Sequence, residues 1–596
     1  MFDPYKMSLV NATLSVLLII IVFIYKHVYP KKKVNLLAFL IIISLLPIVS
    51  LLRIGDYESG DFNIHIYRTI SFYQNLTDGN LMPSWAGMLN GTYGYPLFIF
   101  LNPLPYYLIS FFHFLGFSFI TSLKFFLGFA FVLSGIFMYF FTKEALKNEL
   151  AAFTASIFYL FFPYHLIDLH FRIDVGEVLC FTLVPLLLLF TYRLFKQNSL
   201  LYVLWTGLTF ALLIMSHQAI AVLSLALVIP LLISQLLLSP AKIRQIKLWL
   251  QIGTSFVLGL FISSYVWLPY ITYSKYNLSS ALFKSLPSFI NFNELLYAPW
   301  RFGLLFQGPK GELSFLIGYT QLLVLGIMLF YLLAKRAKAK HAKEITVWLI
   351  TTFFLIFMLT GFSQVIWLNV PIIKNMLMSS RVLLILTFSI SFVAGYFALI
   401  NKKRKILIWL LIFLTIGYTI LNWGQRRVIP QISDAGLINN LPYSTYQGEG
   451  LTFIGNTPWF SSKPVWISKV PVNKIDTIQG QANIKTLSIS STKHYYSANS
   501  TSDATLKENT LYFPGWDVTV NGKETKINFK DKKYSGLIVF KIPKGNDQIA
   551  ITYKDLLILQ ILKLVFVLSL IIILFYTLFT TKQLLRLIYK LRKIKK

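Results

Sequence analysis

Apolar runs that alternate with short basic segments constrain this chain more than any other feature of its sequence. Several of these runs reach the ~20 residues that a helix needs to cross the hydrocarbon core of a bilayer. Of the 596 residues, 56% are hydrophobic and 16% are aromatic, and the mean hydropathy is +0.65. No soluble domain needs that much apolar surface. The sequence therefore predicts a polytopic α-helical membrane protein.

The positive charge of the chain is distributed as membrane proteins distribute it. A net charge of +32 would suggest a nucleic-acid partner in a soluble protein. Here the basic residues stand in short runs beside apolar segments, for example at 31–33 and 402–405. The positive-inside rule places such runs in the cytoplasm, against anionic lipid. We therefore expect membrane lipids and no nucleic acid as partners, an N-terminus outside the cell membrane, and a cytoplasmic C-terminal tail (582–596) whose apolar stripe lies on lipid.

By length and charge we count about thirteen spans. The predicted parts are an extra N-terminal span (1–33), a transmembrane domain (34–421) with a first outer loop at 54–118, an extracytoplasmic β-rich domain (422–554), and a final span with a basic tail (555–596). Segment 98–117 is apolar but is interrupted by Asn102-Pro103-Leu104-Pro105. We interpret it as interfacial or re-entrant, because counting it as a span would place the next basic residues outside.

Residues 422–554 form a polar region with a different pattern. Runs at 485–490, 517–520 and 548–553 alternate between apolar and polar residues, which is typical of half-buried strands. Asn521-Gly522, between two such runs, indicates a tight hairpin. The region is predicted to be a small antiparallel β-sandwich outside the membrane.

The first polar stretch (55–68) is predicted to lead into a helix that lies flat on the membrane. Four residues at helical spacing make its apolar face: Phe62, Ile66, Ile70 and Tyr73. Asp61, His65 and Arg68 share another face. Three such groups suit a proton-transfer or phosphate-contacting site. Asp61 after Ser59-Gly60 equally suits a helix N-cap, with Arg68 as a solvated charge.

The remaining ionisable residues lie mostly at span edges and in loops, whereas coupled transporters and channels usually place them at the bilayer midplane. This distribution favours a reaction at the interface over passage through the membrane. The sequence has no zinc-ligand spacing among its eight histidines, no phosphate-binding glycine loop and no nucleophile elbow. An enzyme here would need a substrate that is already activated and already in the membrane.

Several motifs together resemble one bacterial family. They are Asp61-Phe62-Asn63-Ile64-His65-Ile66-Tyr67-Arg68, Tyr93-Gly94-Tyr95-Pro96, Asn102-Pro103-Leu104-Pro105, Pro163-Tyr164-His165, Arg172 with Gly176-Glu177, and Tyr512-Phe513-Pro514-Gly515-Trp516 followed by Asn521-Gly522-Lys523. This combination resembles the "6-pyruvoyl-tetrahydropterin synthase-related" membrane proteins, which are related to YfhO-type proteins and similar to GT-C glycosyltransferases. The chain departs from the family pattern at Ile173, where a small residue usually follows the arginine, and at Arg381, which lacks a preceding Gln-Phe-Pro-Trp.

The resemblance implies a fold and a reaction. The fold is a GT-C-like helical bundle, and the reaction transfers a sugar from a polyprenyl-phosphate carrier. In that class an acidic residue of the first outer loop is essential and a second acidic position follows later. These positions are Asp61 and Glu177 here. The rivals for the acidic role are Asp56, Glu58 and Asp174.

Roles follow from the chemistry of that reaction. A sugar hydroxyl is a poor nucleophile, so a carboxylate must accept its proton, and Asp61 is the candidate base. The departing lipid phosphate needs positive charge or a divalent cation, which stays open. The candidate substrate and phosphate contacts are His65, Arg68, Arg172, His217, Arg301 and Arg381.

Each assignment has a structural alternative. Arginines at span ends often meet only lipid headgroups, His217 suits a capped turn, and Asp174 and Glu177 suit a helix start. We therefore expect either a glycosyltransferase that modifies a cell-envelope glycan or lipid on the outer face, with the β-domain binding the acceptor, or a lipid or polysaccharide exporter or non-catalytic accessory protein.

Overall fold

The computed structural model describes residues 4–273, 276, 287–335, 340–374, 376, 378–424, 428–429, 432–443 and 470–594. Its contacts divide the chain into two compact units. The first unit comprises Met1–Phe62, Ile120–Phe261 and Ser285–Gln431, and the second comprises Asn63–Phe119, Ile262–Lys284 and Ile432–Lys596. The contacts thus group most of the predicted first outer loop with the β-rich region and the last span. The apolar stripe predicted for 582–596 lies outside the described side chains.

The first unit is helical. Its helices are α1 (Pro4–Val28), α2 (Leu36–Ile48), α5 (Phe119–Leu146), α6 (Glu149–Leu160), α7 (Pro163–Ile167), α8 (Val175–Gln197), α9 (Leu200–Ser216), α10 (Gln218–Leu238), α11 (Ile246–Ile262), α13 (Phe292–Leu296), α14 (Tyr319–Lys335), α15 (Ala342–Leu359), α16 (Gln364–Asn369), α17 (Pro371–Lys374), α18 (Val382–Ile400) and α19 (Lys405–Gly417). A two-residue ladder joins β1 (Asp56–Tyr57) to β2 (Val428–Ile429). Helices α6 and α18 are buried along nearly all of their length, as expected for helices that are apolar on all sides.

Eight helices among the described residues are long and apolar enough to cross a membrane, or up to ten if each of two bent pairs is one span. Three further helices are also apolar but are shorter, with 10–17 residues each. The polytopic helical class is therefore confirmed, and the count of about thirteen spans stays a prediction. Helix α4 (Leu104–Phe114) has 11 residues and is too short to cross ~30 Å of hydrocarbon. That length agrees with the interpretation of 98–117 as interfacial or re-entrant.

The second unit combines helices with a β-sandwich. Its helices are α3 (Phe62–Thr77), α4, α12 (Ser264–Thr272), α20 (Asp434–Asn440) and α21 (Leu557–Ile594). Its strands are β3 (Ile475–Gln479), β4 (Ala482–Ile489), β5 (Lys493–Ser500), β6 (Ala504–Leu511), β7 (Trp516–Val520), β8 (Lys523–Thr525), β9 (Leu537–Ile542) and β10 (Gly545–Tyr553). They form a five-stranded sheet, β4-β5-β10-β7-β8, and a three-stranded sheet, β3-β6-β9. All pairs are antiparallel.

The predicted hairpin and the predicted interfacial helix had different outcomes. Asn521 and Gly522 have φ values of 51° and 77°, the left-handed pair that a tight β7–β8 turn requires, so the hairpin is confirmed. Helix α3 forms as predicted, but Phe62, Ile66 and Ile70 are at most 1% exposed. The prediction that this face lies on the membrane is wrong, because the face packs into the protein interior.

Candidate functional site

The site is built around one buried ion pair. The Nη1 and Nη2 atoms of Arg172 donate to the two carboxylate oxygens of Glu177 at 2.9 and 3.0 Å. The hydroxyl of Tyr164 donates to the same carboxylate at 2.7 Å and accepts from Arg172 at 2.6 Å. The Glu177 side chain is fully buried. A bidentate arginine–carboxylate pair of this kind fixes both geometry and charge.

The backbone around this pair is unusual. Residues Asp168–Arg172 form one turn of π-helix, a feature often found at functional sites. Ile173 then adopts a left-handed conformation with φ 60° and ψ 47°, which is strained for a β-branched residue. Asp174 follows as the N-cap of α8 and accepts from the amides of Gly176 and Glu177 at 3.0 and 3.1 Å. The positive φ of Ile173 gives a physical reason for the small residue expected at this position.

Two side chains from distant helices complete the cluster, which we define as Tyr164, Arg172, Asp174, Glu177, His217 and Arg381. The Nε atom of Arg381 lies 3.5 Å from Glu177, and its Nη1 donates to the Met376 carbonyl at 2.6 Å. The Nε2 atom of His217 lies 3.9 Å from Glu177 and 4.0 Å from Asp174. These last distances exceed a direct hydrogen bond. A substrate oxygen placed between His217 and the carboxylates would contact both.

The hydrogen bonding of His217 determines which ring nitrogen carries its proton. Its Nδ1 accepts from the amide of Ile220 at 3.4 Å and caps α10. Burial and the neighbouring Arg381 lower the pKa of His217, against the opposing effects of Asp174 and Glu177. The neutral ring therefore holds its proton on Nε2 and directs a donor toward the carboxylates. The expected helix cap at His217 is confirmed, whereas its role in substrate contact stays a prediction.

The loop that carries Asp61 is attached to this cluster through the backbone. The amide of Gly60 donates to the Phe171 carbonyl at 2.8 Å, and the amide of Asp61 donates to the Arg172 carbonyl at 2.9 Å. A Cβ atom at position 60 would stand 3.0 Å from the Arg172 carbonyl oxygen, so glycine permits this close approach. Asp61 is partly exposed. The start of α3 is thus held beside the Arg172–Glu177 pair.

Comparison with protein families decides the membership of the chain. The membrane-protein domain described as 6-pyruvoyl-tetrahydropterin synthase related matches residues 98–428, more than half of the chain. The protein belongs to this family. The matched segment contains Arg172, Glu177, His217 and Arg381, whereas Asp61 precedes it. The family membership inferred from the sequence motifs is confirmed.

Individual proteins are similar to this family member over part of their length. An uncharacterized protein of Lactococcus lactis subsp. cremoris is 26% identical over 180 residues, which is 29% of each chain. The Archaeoglobus fulgidus oligosaccharyltransferase is 13% identical over 67% of this chain and 57% of its own, with a TM-score of 0.38. The chain thus spans less than two thirds of either protein.

Two further solved structures are similar. Undecaprenyl phosphate-bound ArnT from Cupriavidus metallidurans is 10% identical over 69% of this chain and 77% of its own, with a TM-score of 0.37. Arabinosyltransferase EmbB from Mycobacterium smegmatis is 8% identical over 88% of this chain and 63% of its own, with a TM-score of 0.35.

The other predicted residues of this family member differ from one another in their surroundings. Asp56 is 3% exposed and lies in the β1–β2 ladder, while Glu58 is exposed. In the second unit, His65 hydrogen-bonds through Nδ1 with the Tyr106 hydroxyl at 2.8 Å, and Arg68 is 8% exposed. Arg301 lies in an exposed turn with φ 44°.

Tyr164 and Asp168 belong to the site region but were not among the predicted site residues. Tyr164 stood inside the Pro163-Tyr164-His165 motif, so a signal for it was present. Asp168 is fully buried and accepts from the amide of Asp174 at 3.3 Å. No spacing rule identifies that contact, because it depends on the π-helical turn.

A divalent cation does not fit the most obvious ligand set. Asp174, Glu177 and His217 each offer one ligand atom, all within 4.8 Å of one another. However, Arg172 occupies both oxygens of Glu177, and the Nδ1 cap leaves the proton of neutral His217 on Nε2. A metal ligand needs an unprotonated nitrogen. Two guanidinium groups already supply the positive charge that a cation would bring.

Proposed function

We propose that the protein is a membrane glycosyltransferase that moves a sugar from a polyprenyl-phosphate donor to a cell-envelope glycan or lipid on the outer face of the membrane. The observation that carries this proposal is the attachment of Asp61 to the Arg172 carbonyl, beside a buried pair of guanidinium and carboxylate groups. A base and a phosphate-binding charge must stand side by side for this reaction. The resemblance of the sequence to GT-C glycosyltransferases supports the same class of reaction.

Asp61 acts as the general base in this proposal. Its carboxylate accepts the proton of the acceptor hydroxyl while that oxygen attacks the anomeric carbon. The bond from that carbon to the phosphate oxygen breaks, and the polyprenyl phosphate leaves with the electron pair. Glu177 suits the base role poorly, because it is fully buried and Arg172 and Tyr164 occupy its oxygens. Glu177 instead positions the two arginines.

Arg381 is the favoured contact for the departing phosphate. Its described contacts with Glu177 and Met376 use two nitrogens, whereas a guanidinium group carries five N–H donors. Its side chain is 20% exposed, so a ligand has access to it. A guanidinium group held in this way stabilises the charge that develops on the leaving oxygen. The Nε2–H group of His217 can donate to a substrate oxygen in the adjacent gap.

Asp61→Asn is expected to reduce sugar transfer by about 10²–10⁴-fold, since general-base help contributes about that much. The amide preserves the shape of the side chain, so the amount of protein in the membrane should not change. The measurement is the sugar composition of the cell envelope in a deletion strain complemented with the variant, with immunoblotting of membranes as the second readout.

Glu58→Gln is the matched control, because Glu58 is an exposed acid in the same loop. It should leave the envelope glycan unchanged. If Asp61→Asn preserves the envelope glycan, Asp61 is not the base. If Asp56→Asn and Glu177→Gln also preserve it while the deletion strain accumulates unexported glycan, the exporter or accessory function replaces this proposal.

The charge arrangement also predicts how the reaction responds to chelation. Because Arg172 and Arg381 supply positive charge beside Glu177, sugar transfer in isolated membranes is expected to continue in excess EDTA. Loss of transfer that Mg²⁺ or Mn²⁺ restores would show that a divalent cation takes part. The same assay on Arg381→Lys tests the guanidinium, since lysine keeps the charge but not the planar donor geometry.

A further inference from the structure

A basic loop of the β-sandwich stands out among the features that the proposed reaction does not use. It connects β8 to β9 and has the sequence Lys526-Ile527-Asn528-Phe529-Lys530-Asp531-Lys532-Lys533-Tyr534. We call residues 526–534 the basic loop. It carries four lysines and one aspartate, a net charge of 4 − 1 = +3. All four lysines are exposed.

Strand register shows which end of the β-sandwich lies nearest the last span. Strand β10 ends at Tyr553, four residues before α21 begins at Leu557, and residues Leu557–Thr580 are long and apolar enough to cross a membrane. Tyr553 pairs with Trp516 on β7, and the amide of Lys554 donates to Gly515 at 2.8 Å. The segment 512–516 therefore lies at the membrane-proximal end of the β-sandwich.

A second apolar helix reaches the same end. The rings of Tyr273 and Tyr276, which follow α12, lie 6.2 and 6.0 Å from the ring of Phe513. Within α12, Tyr265 packs on Phe566 of α21 with ring centroids 4.9 Å apart. Two apolar helices thus meet the membrane-proximal end of the sandwich. Tyrosine side chains lie at that junction. Aromatic residues of this kind are enriched at membrane–water interfaces.

The basic loop is fixed to that end of the sandwich. The ring of Phe529 stacks on Tyr512 with centroids 4.1 Å apart and an interplanar angle of 8°. The amide of Tyr512 donates to the Gly536 carbonyl at 2.8 Å. Because Tyr512 belongs to the membrane-proximal segment 512–516, the loop lies at the level of the span ends. The opposite end of β10 is eight residues away, or roughly 26 Å at ~3.3 Å per residue.

The loop is folded so that its lysines project outward. The Oδ1 atom of Asp531 accepts from the amides of Lys533 and Tyr534 at 2.9 and 3.0 Å, so the one acidic residue serves the turn. The ammonium groups of Lys507 and Lys533 lie 5.0 and 5.4 Å from the Tyr534 ring centroid. Alternating lysines and aromatic rings make a surface with charge at its tip and apolar area beneath.

We infer that the basic loop docks on the anionic lipid headgroups of the leaflet next to the β-sandwich. Phosphate groups of that surface pair with Lys530, Lys532 and Lys533, while Phe529 and Tyr534 lie at headgroup depth. The position of the basic loop, at the end of the domain that two apolar helices reach, favours contact with lipid over a purely solvated charged face. The inference is independent of the proposed glycosyl transfer and holds for either leaflet.

The test uses the full-length protein in lipid nanodiscs, where both membrane faces are accessible. Amine labelling with a water-soluble N-hydroxysuccinimide ester, read by peptide mass spectrometry, gives a rate for each lysine. In phosphatidylglycerol nanodiscs at low salt, Lys530, Lys532 and Lys533 should label at least about fivefold more slowly than in phosphatidylcholine nanodiscs, given the ~1 kcal/mol per basic residue at an anionic surface. About 1 M salt should remove the difference, because the Debye length falls to ~3 Å.

Three lysines at the far end of the same sandwich are the matched control. Lys523, Lys541 and Lys544 should label equally in both lipids. Lys526, at the start of the same loop, should also label more slowly in phosphatidylglycerol; replacing Lys530, Lys532 and Lys533 with glutamine should remove that difference, while the same change at the three control lysines should not. Equal labelling of the loop in both lipids would overturn the inference. Protection by free inorganic phosphate in phosphatidylcholine nanodiscs, equal to that by anionic lipid, would also overturn it in favour of a soluble anion site.

Discussion

Glu177→Gln is expected to lower the free energy of unfolding by about 3–5 kcal/mol, because removal of one partner leaves a buried charge uncompensated. The substitution keeps the size of the side chain but removes the charge that Arg172 and Arg381 share. Denaturant titration of the purified protein in mixed micelles measures the loss. Sugar transfer should fall together with the amount of folded protein.

Two further variants separate the ion pair from general damage. Replacing both partners, with Arg172→Met and Glu177→Leu, should cost less stability than Glu177→Gln, since apolar replacement of a whole buried pair is often tolerated. That double variant should nevertheless lose sugar transfer, because Arg381 no longer has the Glu177 carboxylate that positions it for the departing phosphate. Glu149→Gln is the control. Glu149 pairs with Lys143, and the two side chains are 60% and 45% exposed, respectively. Such exposed ion pairs contribute at most ~1 kcal/mol to the free energy of unfolding. Equal small effects of Glu177→Gln and Glu149→Gln would contradict the central role of this cluster.

Glu508→Gln is expected to destabilise the β-sandwich by about 3 kcal/mol, by the same reasoning about buried charge. Glu508 is fully buried between the two sheets. Its Oε1 accepts from His494 Nδ1 at 2.5 Å and from the Tyr496 hydroxyl at 2.8 Å. Burial lowers the pKa of the nearby Lys474 to about 8, and Glu508 opposes that effect. Loss of the carboxylate therefore leaves the ammonium group of Lys474 without this counter-charge.

The same residue gives the domain a sensitivity to acid. Burial raises the pKa of Glu508, but His494, Lys474 and the Tyr496 hydrogen bond outweigh that effect, and the net pKa is lowered. A carboxyl whose folded pKa lies below its unfolded value, ~4.3, stabilises the fold above that pH and loses this contribution as the pH falls further. The unfolding temperature of the full chain, followed by fluorescence from pH 7 to 3, should therefore drop less steeply in Glu508→Gln.

The exposed Glu524 on β8 provides the control for this experiment. Glu524→Gln should unfold with the same acid dependence as the natural chain, at nearly the same temperature. If Glu508→Gln retains the full acid dependence, other carboxyl groups cause it. If Glu508→Gln is as stable as the natural chain at pH 7, the buried network contributes little.

Local patterns predicted local structure well. The Asn521-Gly522 turn was found because its backbone demands φ > 0 at two residues, and few residue pairs meet that demand. The apolar face of α3 was found from its 3.6-residue period. What covers that face could not be predicted, because lipid and protein interior are both apolar and select the same residues.

The candidate site shows the same limit. Motifs and chemistry selected four residues of the cluster, each with a purely structural alternative: Arg172, Glu177, His217 and Arg381. Their convergence depends on helices that lie far apart in the chain, and Tyr164 enters through the same convergence. Asp174 caps α8, which agrees with the structural alternative that it begins a helix. Asp61 needed the backbone contact with Arg172 before it could be placed beside the cluster.

By itself, the sequence determined that this chain is a helical membrane protein with a β-sandwich before its last span, because hydrophobic length, periodicity and turn chemistry act over neighbouring residues. It also determined the family, through motifs that are short and local. Only the tertiary structure decided that Glu177 is a counter-ion inside the protein and that the face of α3 is covered by protein. Those outcomes depend on which distant surfaces meet, and the free energy of such contacts is not recorded in any local stretch of residues.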